Sequence, residues 1–483
     1  MCEYPCLACY AGEPPRFHFS PNALAAKYAK HAKEEASILS SLACLACLAA
    51  MLDLMTYDVA IIGAGAAGLA AARDCSRAGL HVVLIEARDR IGGRVHTTHD
   101  AATPVPIELG AEFIHGKPRE TFDLLREANQ SAYDLPDTHR HLRGNALEEI
   151  DFWGVTATVL DKLDPKTTPD EPFATFAERF RDENAQAVDL ALAYVEGFNA
   201  ARADRISARG LAVAEAKEHD DALLRPTQAY GTMLDALWRQ CEVSGAELRL
   251  STIVTAISWT PGSVEIATQA NQTTRAPKAV ITLPLGVLKA GGVCFDPPLV
   301  EKEQAASKLE VGPVVRVVLR FREPFWETEP FSTVPRGQTL EDLNFLHGPT
   351  EVFPTWWTQL PMRVPLLVGW SGGPAAERLA DKSEDEILSA ALGALCRMLG
   401  TTESFLRERL AASYVADWHA DPFARGAYSY VPVGGLDAMK QLAQSLESTL
   451  FFAGEATHHE GQSGTVSAAL ATGYRAAREV IGH

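Results

Sequence analysis

Basic charge is under-supplied in this chain: 44 lysines and arginines stand against 62 aspartates and glutamates, a formal net charge of -18. That balance argues against nucleic acid as a partner, since its phosphates would be repelled, and mildly favours a cationic ligand. Cysteine is sparse beyond residue 55. Only Cys75, Cys241, Cys294 and Cys396 fall there, none in a CxxC pair. The body therefore suits inert buried thiols in a reducing, cytoplasmic setting, not a disulfide framework. Long hydrophobic runs are missing apart from Ala36–Leu52, which is apolar but short for a membrane span. The head before it is long for a signal peptide. Residues 1–55 read as an artefactual or dispensable extension, ahead of an export signal or an anchor, and no stable membrane association is expected. Two CxxC pairs lie in that extension, Cys6–Cys9 and Cys44–Cys47. Their separation is about twice that of a zinc site and both are the same CLAC tetrapeptide, so biased composition explains them better than metal. No metal site is expected.

What the chain does have begins at Tyr57. The apolar run Val59–Ile62 reads as a buried parallel strand. Gly63, Gly65 and Gly68 follow at GxGxxG spacing, Ala67 among them, and open an alanine-rich helix. A second strand, His81–Ile85, ends in Glu86. Gly63 permits the tight turn, Gly65 admits a pyrophosphate to the backbone, and Gly68 lets helix and strand pack closely. The helix N-terminus offers free N–H groups and positive dipole to phosphate. Glu86 stands where a carboxylate accepts both hydroxyls of an adenine ribose. Flanking strand, helix and acid agree, so a dinucleotide site is favoured over glycines serving turns alone.

The next segment selects the dinucleotide. Arg88, Gly92, Gly93 and Arg94 form a second basic, glycine-rich loop, with arginines able to clamp phosphate. It resembles the GGR motif of two-domain FAD enzymes, and Glu108–Gly116, with Gly110 and Ala111, resembles the segment that follows it there. Near the C-terminus FFAGEATH, with Gly454 and Glu455, precedes GTVSAALATG, with Thr465 and Val466. These blocks together resemble the flavin-containing amine oxidase family, nearest its polyamine oxidase and lysine-specific histone demethylase branch. The resemblance implies an α/β, two-domain FAD enzyme with a Rossmann-like FAD-binding domain and an interleaved α+β substrate-binding domain. Its segments would be 56–130, 223–297 and 418–483 for FAD, and 131–222 and 298–417 for substrate. Residues 131–218 read as helix-rich, and Val254 matches the position whose backbone meets adenine.

Trp418-His-Ala-Asp-Pro-Phe-Ala-Arg-Gly-Ala-Tyr-Ser-Tyr430 is similar to the W…DP…RG(S/A)YSY block of polyamine oxidases. The resemblance puts the Tyr428 ring beside the substrate nitrogen; a core tyrosine on a strand is the bland alternative. Thr465 stands where monoamine oxidases carry a second aromatic. Ala427 replaces their flavin-linking cysteine, which implies non-covalent FAD. His115 matches a histidine near the substrate channel, although a structural histidine fits equally. Glu112 could meet a distal ammonium, the default being a solvated glutamate. Glu455 is expected at a helix N-terminus beside the flavin ribityl and phosphate. Arg316 occupies the place of the family's water-holding lysine, so amine oxidation is retained and rapid use of oxygen is questioned. The expected partners are a small-molecule amine and oxygen or another electron acceptor. Rival readings are a desaturase or dehydrogenase of the porphyrinogen or carotenoid type, against which the Tyr428 block argues, and a scaffold retaining FAD for stability.

Overall fold

The computed structural model describes residues 57–216, 222–335, 338–461 and 463–482. The expectations for residues 1–55 and their CxxC pairs lie outside them. Five parallel strands form one sheet in the order Glu247–Arg249, Val82–Ile85, Val59–Ile62, Lys278–Ile281 and Leu450–Phe452. Val59–Ile62 and Val82–Ile85 are buried at every position, as unbroken apolar runs covered on both faces must be. Alternate side chains feed two cores. Val59, Ile61, Val82 and Leu84 pack with helices Ala66–Arg77, Tyr230–Val243 and Val466–Gly482. Ala60, Ile62, Val83 and Ile85 pack with the strands Val254–Thr260 and Ser263–Thr268.

A second sheet of seven strands runs in the order Leu410–Asp417, Val314–Phe321, Leu366–Gly372, Thr355–Trp357, Phe345–His347, His139–Arg143 and Ala146–Glu149. It draws on both stretches read as substrate-binding. Helix Glu384–Leu399 packs into its core, fixed at its start by a Ser383–Glu386 capping box. Helices Phe152–Leu160, Phe173–Glu178, Ala185–Phe198 and Ala208–Glu215 build a separate apolar cluster.

Two expectations need correction. The stretch 131–218 is helix-rich from Phe152 on, as expected, but it opens with three unexpected strands, Ala132–Asp134, His139–Arg143 and Ala146–Glu149. His139, Arg140 and His141 are buried there, so a polar-looking run escaped the search for apolar strands. Nor are all the thiols inert and buried. Cys75 and Cys241 are, with burial pushing both up to about 12, but Cys294 is exposed. Among the described residues no helix is long and apolar enough to cross a membrane.

Candidate active site

A cavity of about 1200 Å³ runs between the two sheets. Every residue expected to touch cofactor or substrate lines it except Gly68, which acts from behind. A Cβ on Gly68 would lie 1.9 Å from the Gly63 carbonyl oxygen. Gly63 itself holds φ +103, a conformation natural to glycine, with Thr282 Oγ1 where a side chain would begin. Gly65 caps helix Ala66–Arg77 without a side-chain bond, and no acid lies in the first turn. Its N–H groups and dipole therefore face the cavity unblocked. The buried Glu86 carboxylate accepts from Ala64 N at 2.7 Å and Arg88 N at 2.9 Å, which pins the glycine turn to the second strand. Val254 starts the next strand beside it. A bare helix start, a side-chain-free turn and a carboxylate at the second strand's end fit the pyrophosphate and ribose of a dinucleotide.

The arginines expected to clamp phosphate are already paired. Arg88 grips Asp421 with two bonds of 2.7 and 2.8 Å and lies over the Phe423 ring. Arg94 donates to the Ala427 carbonyl at 2.6 Å and to Glu455 at 2.8 Å. They fasten the GGR loop to the C-terminal segments. Glu455 stands on the short turn Glu455–Thr457, not on the helix, which begins at Val466. It also accepts from Ser429 Oγ at 2.6 Å and Gly464 N at 3.2 Å. Thr465 caps that helix, taking the Ala468 N–H at 3.1 Å.

Arg316 lies in strand Val314–Phe321, 2% exposed, and does not reach into the cavity as a free cation. Its guanidinium donates to Glu112 and, at 3.0 Å, to the Gly110 carbonyl, and stacks over Trp357. Glu112 also takes Arg225 Nε at 2.7 Å, Trp357 Nε1 at 3.1 Å and Gln359 Nε2 at 3.1 Å. Burial would raise its carboxyl, but the charges of Arg225 and Arg316 outweigh this and hold it down to about 2. Glu112 is thus neither solvated nor open to a distal ammonium. Behind it, burial pushes Glu108 up to about 7 against bonds from Thr97 Oγ1 and the Tyr230 N–H. Arg225, Trp357, Gln359 and Asp421 were not anticipated; each meets its partner from far along the chain.

Tyr428 starts the short strand Tyr428–Tyr430; its hydroxyl donates to the Phe198 carbonyl and its ring packs over Gly464. Burial raises that hydroxyl's pKa, so it stays protonated. Trp418 is buried, with Nε1 bonded to the Leu109 carbonyl at 2.9 Å and its indole against Gly110, so it shapes the wall. His115 sits edge-on to Phe198, and burial lowers it to about 4, leaving it neutral. Among the described residues no cluster is arranged to hold a metal ion.

The fold and the cavity together define a two-domain FAD-dependent oxidoreductase. The family model described as flavin containing amine oxidoreductase matches residues 66–150 and 156–481. The chain belongs to that family and is an FAD-dependent amine oxidoreductase. Polyamine oxidase 3 of Oryza sativa subsp. japonica is 29% identical over 87% of this chain and 88% of its own length. Lysine-specific histone demethylase 2 of Homo sapiens is 26% identical over 89% of this chain, which spans 54% of that relative. The fold matches putrescine oxidase bound to putrescine at a TM-score of 0.73, with 20% identity over 88% of this chain and 99% of that one. Cyclohexylamine oxidase from Brevibacterium oxydans IH-35A matches at 0.72, with 20% identity over 88% and 99%.

Proposed function

We propose that this protein oxidises a cationic alkylamine, of polyamine type, in the arm of the cavity beyond Tyr428. The observation that carries the reading is the partition of charge along the wall. Lining residues from 134 to 215 include Asp134, Asp137, Asp161 and Glu215 and no lysine or arginine. The arginines of the lining lie among the blocks assigned to the cofactor, or, for Arg316, against Glu112. An acidic, aromatic arm draws a protonated amine from solvent.

Held without a covalent link, FAD would supply the acceptor for a hydride from the carbon beside the amine nitrogen, with the imine left to hydrolyse and oxygen as the final acceptor, giving hydrogen peroxide. The chain's own share is binding and placement. Gly63, Gly65, Ala67, Glu86, Gly110, Ala111, Val254, Gly454 and Val466 border the cofactor, with Arg88, Arg94 and Glu455 bracing its loops. The Tyr428 ring, held by its bond to Phe198 and packed on Gly464, flanks the reacting nitrogen, with Thr465 in place of a second aromatic. Burial holds His115 neutral, so it adds no positive charge to the cavity beside the amine. Trp418 closes the wall to water. The four body cysteines, free of disulfides, suit a cytoplasmic location.

Stopped-flow flavin bleaching under anaerobic conditions, against polyamines, monoamines and amino acids, tests the reading. Bleaching fastest with polyamines is the expected outcome. No bleaching by any amine would refute it and favour a desaturase or a scaffold.

A further inference from the structure

The far wall of the cavity carries a group of histidines that the redox chemistry leaves unused. His139 and His347 sit on neighbouring parallel strands, 4% and 8% exposed. Their rings are parallel, 5.1 Å apart, and Phe152 stacks on both, at 5.2 Å from His139 and 4.4 Å from His347. Phe345 stacks on His139 at 4.9 Å. Within this stack the polar edges form a line. Asp137 Oδ1 lies 2.9 Å from His139 Nε2, and His139 Nδ1 lies 2.8 Å from His347 Nε2.

Proton counting along the line fixes each tautomer. A carboxylate only accepts, so His139 carries its hydrogen on Nε2 and its Nδ1 is a lone pair. That lone pair needs a donor, so His347 carries its hydrogen on Nε2 as well. The remaining nitrogen, His347 Nδ1, is then an acceptor. It has no hydrogen-bond partner among the described residues, and His347 lines the cavity. Burial keeps both rings neutral, lowering His139 and lowering His347 further still, with His139 and His141 adding to the effect on His347. A neutral acceptor backed by a carboxylate, stacked on Phe152 in a cavity that Trp153 and Tyr194 also line, suits an N–H donor that carries positive charge.

We propose that His347 Nδ1 anchors a second protonated nitrogen of the substrate, so that the enzyme selects a diamine or longer polyamine over a monoamine of equal chain length. This rests on the amine reading above and adds the residue that sets specificity. Asp137 and His139 are positioning residues that hold His347 in the accepting tautomer.

The test compares 1,8-diaminooctane with octylamine, by calorimetry on the dithionite-reduced holoenzyme, where no turnover occurs. The native protein should bind the diamine at least about tenfold more tightly. His347→Phe, which keeps a flat ring in the stack, should bring the two affinities to within about twofold. His347→Asn, which keeps an acceptor, should retain part of the preference. Asp137→Leu, at an exposed position that spares the core, should also reduce it. A preference unchanged in the Phe and Leu variants overturns the proposal, as does equal native affinity for both amines. Anaerobic bleaching of the oxidised flavin separates the two levels of failure. If octylamine and the diamine both bleach it while the preference is missing, only the subsite falls. If neither they nor any other amine bleaches it, the amine reading falls and the subsite with it.

Discussion

Arg316 and Glu112 meet as a buried ion pair, with Arg225 completing an Arg–Glu–Arg triad inside the wall of the cavity. The charge at position 316 is thereby spent on a carboxylate instead of on the cavity, and Trp357 covers the guanidinium from above. Removing one member of such a group leaves an uncompensated buried charge, so the triad is costly to disturb.

Arg316→Lys should speed reoxidation by oxygen more than it changes reduction by amine. The shorter ammonium gives up the Gly110 carbonyl, leaves Glu112 mainly to Arg225 and frees space for an ordered water at the cavity wall. Each tenfold gain corresponds to about 1.4 kcal/mol of barrier. Rapid mixing of reduced protein with oxygenated buffer measures it. A native protein that already reoxidises as fast as the variant would show that arginine is a competent substitute.

Glu86→Ala should weaken FAD binding by about 1.5–3 kcal/mol, the loss expected when a charged hydrogen-bond partner is removed. The change takes away the carboxylate proposed to accept the ribose hydroxyls and also frees the Ala64 and Arg88 N–H groups that it holds. Fluorescence titration of the apoprotein gives the number. Unchanged affinity would mean that the ribose is held elsewhere.

Acid or heat should release intact FAD and leave a colourless polypeptide, because Ala427 offers no nucleophile to the flavin. Its buried methyl sits where its own backbone is fixed by Gly312 and Arg94. Flavin absorbance travelling with the denatured chain on a gel would contradict this.

Glu108 predicts a pH dependence of stability. Its carboxyl is raised from 4.5 to about 7 on folding, so the folded state keeps a proton that the unfolded state has lost. The stabilisation is present below about 4.5 and disappears as pH rises through 7, on the order of 3 kcal/mol in all. Thermal melts at pH 5 and pH 8 should therefore differ more for the native protein than for Glu108→Gln. Equal differences in the two proteins would assign the dependence to other groups.

The cofactor end was legible in the sequence because its signals are local. Val59–Ile62, the three glycines and Glu86 lie within one strand–helix–strand unit, and each has a backbone reason to be the residue it is. The substrate arm was not legible in that way. Glu112 meets Arg225, Trp357 and Gln359 across 113, 245 and 247 residues, and nothing in a linear pattern joins them. Glutamate and arginine are by default surface residues, so Glu112 read as solvated until the opposing strand brought it a cation. His139 and His347 were hidden for the same reason: a strand that buries rings and imidazoles on one face does not look apolar.

The tie between Arg94 and Glu455 spans 361 residues, and Gly473 of the last helix fits against the Ala67 carbonyl at the start of the first. A chain made from its N-terminus at 5–20 residues per second exposes its GGR loop roughly 20–70 seconds before the segment that braces it. The GxGxxG turn therefore waits, half-roofed, for almost the whole of synthesis. A chain that stops short of Leu450 lacks both ties, so it should hold flavin less tightly than one carrying helix Val466–Gly482.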